Sequence, residues 1–178
     1  MTSKIAAPRG FTLVEIAVTM AIAGMLTFMA VPAFNNFVLD DRGIAQINSL
    51  VASFSYARNH AIKLNSGGVQ VCTSSDGVNC NGGTAWNQGW IVVETPPNAA
   101  SATVLQYVPA FSGANTVKTS QSGVTFSSTG MVDTALKIQI CDSRGAAFSR
   151  DVEVNRTGRI AASSAPGYSA SKTLLTCP

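Results

Sequence analysis

Four cysteines carry the clearest covalent chemistry in this sequence of 178 residues, namely Cys72, Cys80, Cys141 and Cys177. An even number of cysteines behind an N-terminal apolar segment favours two disulfide bonds in an oxidising compartment. Four cysteines permit three connectivities. The tight turn expected at Asp76-Gly77 favours a Cys72–Cys80 bond, which leaves Cys141 to pair with Cys177. On a chain-entropy argument these loops stabilise the fold by about 2.5 and about 4 kcal/mol.

Metal binding and enzyme catalysis have little support. There is no Cys-x-x-Cys pair, and the one histidine, His60, lies in a helical pattern apart from the cysteines, so zinc is the weaker alternative. Asp40-Asp41 is the one carboxylate pair at close spacing, and it is typical of a polar flank at the outer membrane face. No phosphate-binding glycine loop is present. The sequence therefore predicts neither an enzyme nor a cofactor site.

Glu15 is the only ionisable side chain between Phe11 and Val31. This stretch is long enough for a helix that crosses the hydrocarbon core, which needs about 20 residues. A carboxylate at mid-membrane costs about 2.5 kcal/mol or more, so Glu15 requires a partner. The basic residues Lys4 and Arg9 precede the stretch, and the positive-inside bias places them in the cytoplasm with the following domain outside.

A cleaved secretory signal is the alternative interpretation of this stretch. The sequence Val31-Pro32-Ala33 resembles a cleavage site. The apolar run is longer than an ordinary signal, it contains Glu15, and the helical pattern continues beyond it. These features favour a retained membrane helix.

The helical pattern after Val31 is amphipathic. Apolar residues recur at steps of three and four, at Ile44, Ile47, Val51, Phe54, Ala57 and Ala61. Polar residues fall largely on other faces, at Asp41, Arg42, Gln46, Asn48, Arg58 and Lys63. If Pro32 only kinks the helix, it runs from about residue 12 to about residue 64 and stops at Asn65-Ser66-Gly67-Gly68. Gly24 and Pro32 bound the part of the helix that bends or unwinds most easily.

Short strands and turns are expected after residue 68. The predicted strands are Val69–Cys72, Gly89–Glu94, Thr103–Val108, Val124–Ser127, Leu136–Cys141 and Val152–Val154, with a further short strand near Ile160. The expected turns include Asn81-Gly82-Gly83, Pro96-Pro97-Asn98, Ser112-Gly113 and Thr129-Gly130. The tail from Ala161 to Pro178 is predicted to be a loop pinned by Cys177.

These elements predict an α+β fold, in which a long N-terminal helix packs by its second half on a mostly antiparallel sheet. We expect the chain to divide into four segments. Residues 1–10 are a leader, 11–31 a transmembrane helix, 32–65 its amphipathic continuation, and 66–178 a β-rich globular domain.

The net charge of +3 lies at the C-terminal end. Residues 1–143 carry seven positive and seven negative side chains, whereas the remainder carries two acids against Arg144, Arg150, Arg156, Arg159 and Lys172. An anionic partner would fit such a segment, and a solvated surface of mixed charge is the plainer alternative.

The N-terminal sequence Gly10-Phe11-Thr12-Leu13-Val14-Glu15, followed by the apolar helix, resembles the leader of type IV pilins and type II secretion pseudopilins. The resemblance implies that a prepilin peptidase cuts after Gly10 and methylates Phe11. It also implies that Glu15 pairs with the N-terminal amine of a subunit during assembly, with an intramolecular pair to Phe11 as the alternative. Gly24 and Pro32 correspond to the ends of a segment that melts in filaments.

Later motifs are similar to the GspH/FimT group of minor pilins and minor pseudopilins. They are Ser55 to Asn65, Val71-Cys72, Trp86, Gly89 to Val93, Phe126 to Gly130, Ile140-Cys141 and Thr157-Gly158-Arg159. Without the resemblance, Trp86 and Trp90 are simply core aromatics, and Arg58 and Lys63 are solvated helix residues. The resemblance implies a subunit that primes or caps a type IV pilus, or alternatively a pseudopilin of a type II secretion system.

The partners implied are other pilins, the prepilin peptidase, the bacterial inner membrane and, for FimT-like members, double-stranded DNA bound without sequence preference. With the membrane helix in the inner membrane, the β-rich globular domain, called the head below, would lie in the periplasm. Those members share a Gly-Arg-x-Arg segment near the C-terminus. Here Gly158-Arg159-Ile160 is followed by Ala161, so the second arginine is missing. The candidate DNA-binding residues are Arg144, Arg150, Arg156, Arg159 and Lys172, with Arg156 and Arg159 foremost.

Overall fold

The computed structural model describes residues 10–64, 68–95, 101–113, 115–119 and 121–177. Three features from the sequence lie outside these ranges: the basic pair Lys4 and Arg9, most of the helix stop signal (Asn65-Ser66-Gly67) and the turn Pro96-Pro97-Asn98. The chain divides into two compact units, residues 1–39 and residues 40–178. Helix α1 (Leu13–Leu64) contributes residues to both units.

The described part of the first unit is the beginning of α1. Thr12 is the N-cap of this helix, since its Oγ1 accepts a hydrogen bond from the backbone N–H of Glu15 at 3.2 Å. The large apolar side chains from Phe11 to Val31 are 45–85% exposed. By length and composition this part of α1 can cross a membrane, as expected from the sequence.

The α1 residues of the second unit bury one face against the sheets. The buried residues are Gln46, Ile47, Leu50, Ser53, Phe54, Ala57 and Ala61. Two predictions about this face were wrong. Ile44 is 42% exposed, and Gln46, expected on the polar side, is buried. Burial of Gln46 is possible because its amide donates to the carbonyl of Ser112 at 3.4 Å and accepts from Asn115 at 2.6 Å.

Eight strands follow α1 in the described ranges. They are β1 (Gly68–Thr73), β2 (Gly89–Thr95), β3 (Thr103–Pro109), β4 (Thr116–Lys118), β5 (Gly123–Phe126), β6 (Leu136–Cys141), β7 (Arg150–Val154) and β8 (Ile160–Ala162). Short 3₁₀ turns, Trp86–Gln88 and Ala146–Phe148, precede β2 and β7. The six strands predicted with bounds are present with ends within two residues of the prediction, and β8 is the strand expected near Ile160.

The strands form two sheets, whereas the sequence led us to expect one. The first sheet has the order β3-β2-β1-β5 and the second the order β4-β6-β7-β8. Every strand pair within them is antiparallel. The chain divides between sheets because β5 pairs with β1 while the next strand, β6, pairs with β4 and β7. The observed α+β architecture confirms the predicted fold class.

Strand β4 was missed in the sequence. Its three residues contain one apolar side chain, Val117, so they show no alternation of the kind that identifies a strand. The strand exists because its backbone pairs with β6, where Thr116 lies opposite Cys141. Pairing with a distant partner, not local pattern, decides this element.

The core lies between α1 and the inner faces of both sheets. Trp86, Trp90 and Phe54 are fully buried there, which confirms the two tryptophans as core aromatics. The indole N–H of Trp86 donates to the carbonyl of Gln121, and that of Trp90 to the hydroxyl of Ser53, each at 3.0 Å. Both polar ends are therefore satisfied inside the core.

Two disulfides close the loops favoured from the sequence. Cys72 is joined to Cys80 and Cys141 to Cys177, with Cα atoms 5.6 and 6.0 Å apart. In the first loop, the Asp76 carboxylate accepts hydrogen bonds from the backbone N–H groups of Asn79 and Val78. These bonds hold the pKa of Asp76 well below its usual range.

The C-terminal segment, residues 163–177, lies over polar side chains of β6 and β7. Asp151 is fully buried, and its carboxylate accepts from the backbone N–H of Ala170 at 2.9 Å and lies 3.1 Å from the Lys137 ammonium. Burial raises the pKa of Asp151, although Lys137 opposes this. Hydrogen bonds therefore hold the segment to the sheet, in addition to the disulfide at Cys177. The sequence alone predicted only the disulfide.

Candidate functional site

The N-terminal candidate residues lie together at the start of α1. Gly10 and Phe11 precede the helix, and Phe11 is 78% exposed. Glu15 lies in the first turn of α1, and its side chain is exposed. A carboxylate at this position is favoured by the partial positive charge of the helix N-terminus. The arrangement offers one negative group, within an otherwise apolar helix surface, to a cationic partner.

Gly24 and Pro32 both lie within continuous α-helix. A Cβ atom at Gly24 would meet nothing within 4 Å, so this glycine is not required by packing in the described structure. Pro32 removes the donor that would otherwise bond the carbonyl of Phe28. The melting of this segment stays a prediction, with these two residues as its physical basis.

The five candidate basic residues are not brought together. The Arg144 guanidinium lies 2.7 Å from the Asp142 carboxylate and 2.9 Å from that of Asp40, and it stacks over the Phe148 ring at 4.2 Å. Hydrogen bonds from Arg144 to Asp142, and then to Asp40, raise the pKa of Arg144. Asp40 therefore ties the β6–β7 loop to α1, a role that its interpretation as a membrane flank did not foresee.

The remaining four basic residues lie in different parts of the fold. The side chain of Arg150 lies close to Gly43 of α1, with its Cδ 3.7 Å from the position that a Cβ of Gly43 would have. Arg156 and Arg159 are exposed in the turn between β7 and β8, and Lys172 is exposed in the C-terminal segment. Of the candidate residues, the structure groups Arg156 and Arg159 in one turn.

That turn is held against a second turn and against α1. In the first, the Gly158 N–H donates to the carbonyl of Asn155. In the second, Gly130 N–H donates to the carbonyl of Ser127. The Arg58 guanidinium donates to the Gly130 carbonyl at 3.2 Å, so Arg58 is not the solvated residue expected from the sequence.

Two family models match this chain. The model described as type II transport protein GspH matches residues 46–158, and the model of the prokaryotic N-terminal methylation motif matches residues 6–31. The first match covers more than half of the sequence. The chain belongs to the GspH family. Members of this family are structural pilin or pseudopilin subunits, which agrees with the absence of an enzyme motif noted above.

Solved structures show the same fold as this GspH-family chain. Two crystal forms of the type IV minor pilin FimU from Pseudomonas aeruginosa (strain PAO1) are similar to it, each with 20% sequence identity. The P21 form has a TM-score of 0.59 and covers 80% of this chain and 99% of FimU. The P65 form has a TM-score of 0.56 and covers 75% and 98%. No curated protein sequence matches this chain significantly.

The fold of this pilin-like chain brings together residues from motifs that are far apart in the sequence. Arg58, Gly130 and Gly158 belong to three separate stretches of the GspH/FimT resemblance, and they meet at one point in the fold. A Cβ atom at Gly158 would overlap the carbonyl oxygen of Gly130 and lie 3.1 Å from Arg58 Nε. The sequence held only an indirect indication of this contact. Gly130 and Gly158 each follow a turn-forming Thr, and Arg58 lies on the helix against which the turns pack.

Proposed function

We propose that this chain is a minor pilin subunit of a type IV pilus, anchored in the bacterial inner membrane with a periplasmic head, which enters the filament through α1. The alternative is a minor pseudopilin of a type II secretion system, a machine that uses the same steps of processing and polymerisation. One observation carries the proposal: an exposed apolar helix surface from Phe11 to Val31 bears a single carboxylate, Glu15, in its first turn. Such a surface requires lipid or other helices around it.

The mechanism follows from these residues. Cleavage after Gly10 makes Phe11 the N-terminal residue, and its amine becomes the cation that a buried Glu15 needs. The pair is stronger in an apolar environment than it would be in water, because the attraction between opposite charges rises as the effective dielectric constant falls. When Glu15 of one subunit pairs with the Phe11 amine of a neighbour, the bond also sets the axial register of the two helices.

Mass spectrometry of the mature protein tests the processing step. We expect the chain purified from membranes to begin at an N-methylated Phe11. Substitution of Gly10 by a bulky residue is expected to leave the leader attached, because a cut between Gly10 and Phe11 requires close backbone approach by the peptidase. A mature chain that began at Phe34 would show a cleaved secretory signal and would contradict the proposal.

DNA binding is the second candidate function, and the exposure of Arg156 and Arg159 is the observation that favours it. We expect the full chain in detergent micelles to retard duplex DNA only weakly. With two phosphate contacts, the logarithm of the affinity should fall with the logarithm of salt concentration with a slope of about −2.

The Arg156→Ala, Arg159→Ala double variant should abolish this retardation, while Arg144→Ala should leave it unchanged, since Arg144 is already paired with two aspartates. A slope of about −4 or steeper would show that further basic residues contact DNA. If the wild-type chain does not retard DNA at low salt, this second function is excluded.

A further inference from the structure

We propose that Asn81 is a site of spontaneous deamidation, in which the backbone nitrogen of Gly82 attacks the side-chain amide of Asn81. The product carries aspartate or isoaspartate at residue 81, so an exposed loop gains one negative charge as the protein ages. The site lies in the head, and the proposal does not depend on polymerisation through Glu15.

Asn81-Gly82 is the only Asn-Gly pair in the sequence. Because glycine has no Cβ atom, nothing on Gly82 hinders the approach of its nitrogen to Asn81 Cγ. Both residues are exposed and lie outside the helices and strands. A Cβ atom at Gly82 would meet nothing within 4 Å. The pair can therefore change conformation without displacing a neighbouring residue.

The side-chain amide of Asn81 and the attacking nitrogen have different hydrogen-bonding environments. Asn81 Oδ1 accepts a hydrogen bond from the Thr73 hydroxyl at 2.6 Å, and this hydroxyl is also 2.7 Å from the Gly83 carbonyl. The Gly83 N–H is a second, longer donor to Oδ1, at 3.4 Å. Within the described ranges, the Gly82 N–H has no hydrogen-bond acceptor. Negative charge that develops on Oδ1 during the attack is therefore stabilised, and the attacking nitrogen has no partner to leave.

The reaction needs only water as a co-reactant. The Gly82 nitrogen forms a bond to Asn81 Cγ and loses its proton, the Cγ–Nδ2 bond breaks, and ammonia leaves with that proton. The resulting succinimide opens when water adds to either of its carbonyl groups. Addition at Cγ gives aspartate, while addition at the backbone carbonyl gives isoaspartate. The attack itself is intramolecular, since the reacting groups belong to adjacent residues.

Asp76-Gly77 also places a carbonyl group before a glycine, but this pair is protected. The Asp76 carboxylate accepts hydrogen bonds from the backbone N–H groups of Val78 and Asn79, each at 2.9 Å. These bonds keep it ionised at neutral pH, and an ionised carboxylate is a poor electrophile. The Gly77 N–H donates to the Ser74 hydroxyl at 3.0 Å, and ring atoms of Tyr107 lie 3.1–3.2 Å from the position of a Gly77 Cβ. The structure therefore favours reaction at one of the two pairs.

Formation of aspartate at residue 81 should leave the head folded. The backbone N–H of Asn81 donates to the Thr73 carbonyl at 3.0 Å, and this bond does not involve the side-chain amide. An aspartate carboxylate can accept from the Thr73 hydroxyl as the amide oxygen does. The formal net charge falls by one, from +3 to +2. The main change is therefore in the surface charge of the loop.

The test follows the full chain in detergent micelles during incubation at neutral and at mildly alkaline pH. Peptide mapping by mass spectrometry should show that a hydroxyl group replaces the amide NH₂ at residue 81 in a growing fraction of chains. The reaction should be faster at the higher pH, because more of the Gly82 nitrogen is deprotonated. An isoaspartyl methyltransferase with labelled S-adenosylmethionine should label the same peptide. Gly82→Ala should slow the reaction at least about tenfold, since a Cβ atom hinders the attack geometry.

Asp76→Asn is the matched control, because it places a second Asn-Gly pair in the same chain, at a glycine whose N–H already has an acceptor. In the folded variant, the amide introduced at residue 76 should react at least about tenfold more slowly than Asn81. In urea under reducing conditions, the two amides should react at similar rates. The proposal is overturned if Asn81 keeps its amide, if Gly82→Ala reacts as fast as the wild type, or if the two amides react equally fast in the folded chain. Filament incorporation, measured separately, tests the function proposed above.

Discussion

Replacement of Glu15 by Gln is expected to lower incorporation of the chain into filaments at least about tenfold while leaving membrane insertion intact. The variant keeps the shape of the side chain and removes its charge. In the assembled fibre this would leave the amine of Phe11 on a neighbouring subunit without a counter-charge in an apolar environment. Removal of one partner from a buried ion pair costs about 3–5 kcal/mol, enough to account for the loss.

Insertion should not suffer, because a neutral side chain at residue 15 makes the segment from Phe11 to Val31 more apolar. The helix start should also persist. The N-cap bond runs from the backbone N–H of residue 15 to Thr12 Oγ1, and it does not use the Glu15 carboxylate. The effect is therefore expected in assembly and not in folding of α1.

The measurement compares the amount of chain in the membrane fraction with the amount in sheared filaments. Thr19→Ala is the matched control, since it changes a polar side chain of the same helix whose hydroxyl already donates to the carbonyl of Ile16. N-terminal mass spectrometry verifies that both variants are cleaved. If Glu15→Gln and Thr19→Ala enter filaments equally well, the intersubunit pair is not the basis of assembly.

The elements that depend on nearby residues were predictable from the sequence. Helix α1 starts one residue from the predicted position and ends at the predicted one, because apolar periodicity and a glycine-rich stop are local signals. The Cys72–Cys80 bond was favoured for the same reason, since a turn at Asp76-Gly77 lies between the two cysteines.

Features that depend on distant partners were not predictable. Strand β4 requires β6, burial of Gln46 requires the loop at Ser112, and the position of Arg144 requires Asp40, which lies 104 residues earlier. Periodicity assigns a residue to a face, but it cannot identify a hydrogen-bond partner far along the chain. For this reason the sequence could not show which of the C-terminal basic residues lie together, whereas in the fold Arg144 is paired with two aspartates while Arg156 and Arg159 are exposed in a different turn.

The same distinction applies to the candidate sites. Gly10, Phe11 and Glu15 are adjacent in sequence, so their grouping needed no fold. The contact among Arg58, Gly130 and Gly158 draws on α1, the turn after β5 and the turn before β8, so it exists only in the folded domain. No spacing rule in the sequence predicts it.

The Gly158→Ala variant is expected to lower the free energy of unfolding by about 4 kcal/mol. Part of the cost is backbone strain, because Gly158 has a φ of 72°, a left-handed conformation that costs other residues about 1–2 kcal/mol. The larger part is overlap, since a methyl group at residue 158 would collide with the carbonyl oxygen of Gly130. Neither backbone can move freely, because Arg58 holds Gly130 and the Asn155 turn holds Gly158.

Gly82→Ala separates these two contributions. Gly82 has a nearly identical φ of 69°, but a Cβ atom there would meet nothing within 4 Å. Its substitution should cost only the strain, about 1 kcal/mol. Urea unfolding of the full chain in detergent, followed by the fluorescence of the buried Trp86 and Trp90, measures both variants.

If Gly158→Ala and Gly82→Ala are destabilised equally, the two turns are not locked together as the structure shows. If Gly158→Ala has the larger effect, the contact between the two turns contributes to the stability of the domain, because overlap with Gly130 is the contribution that Gly82→Ala lacks.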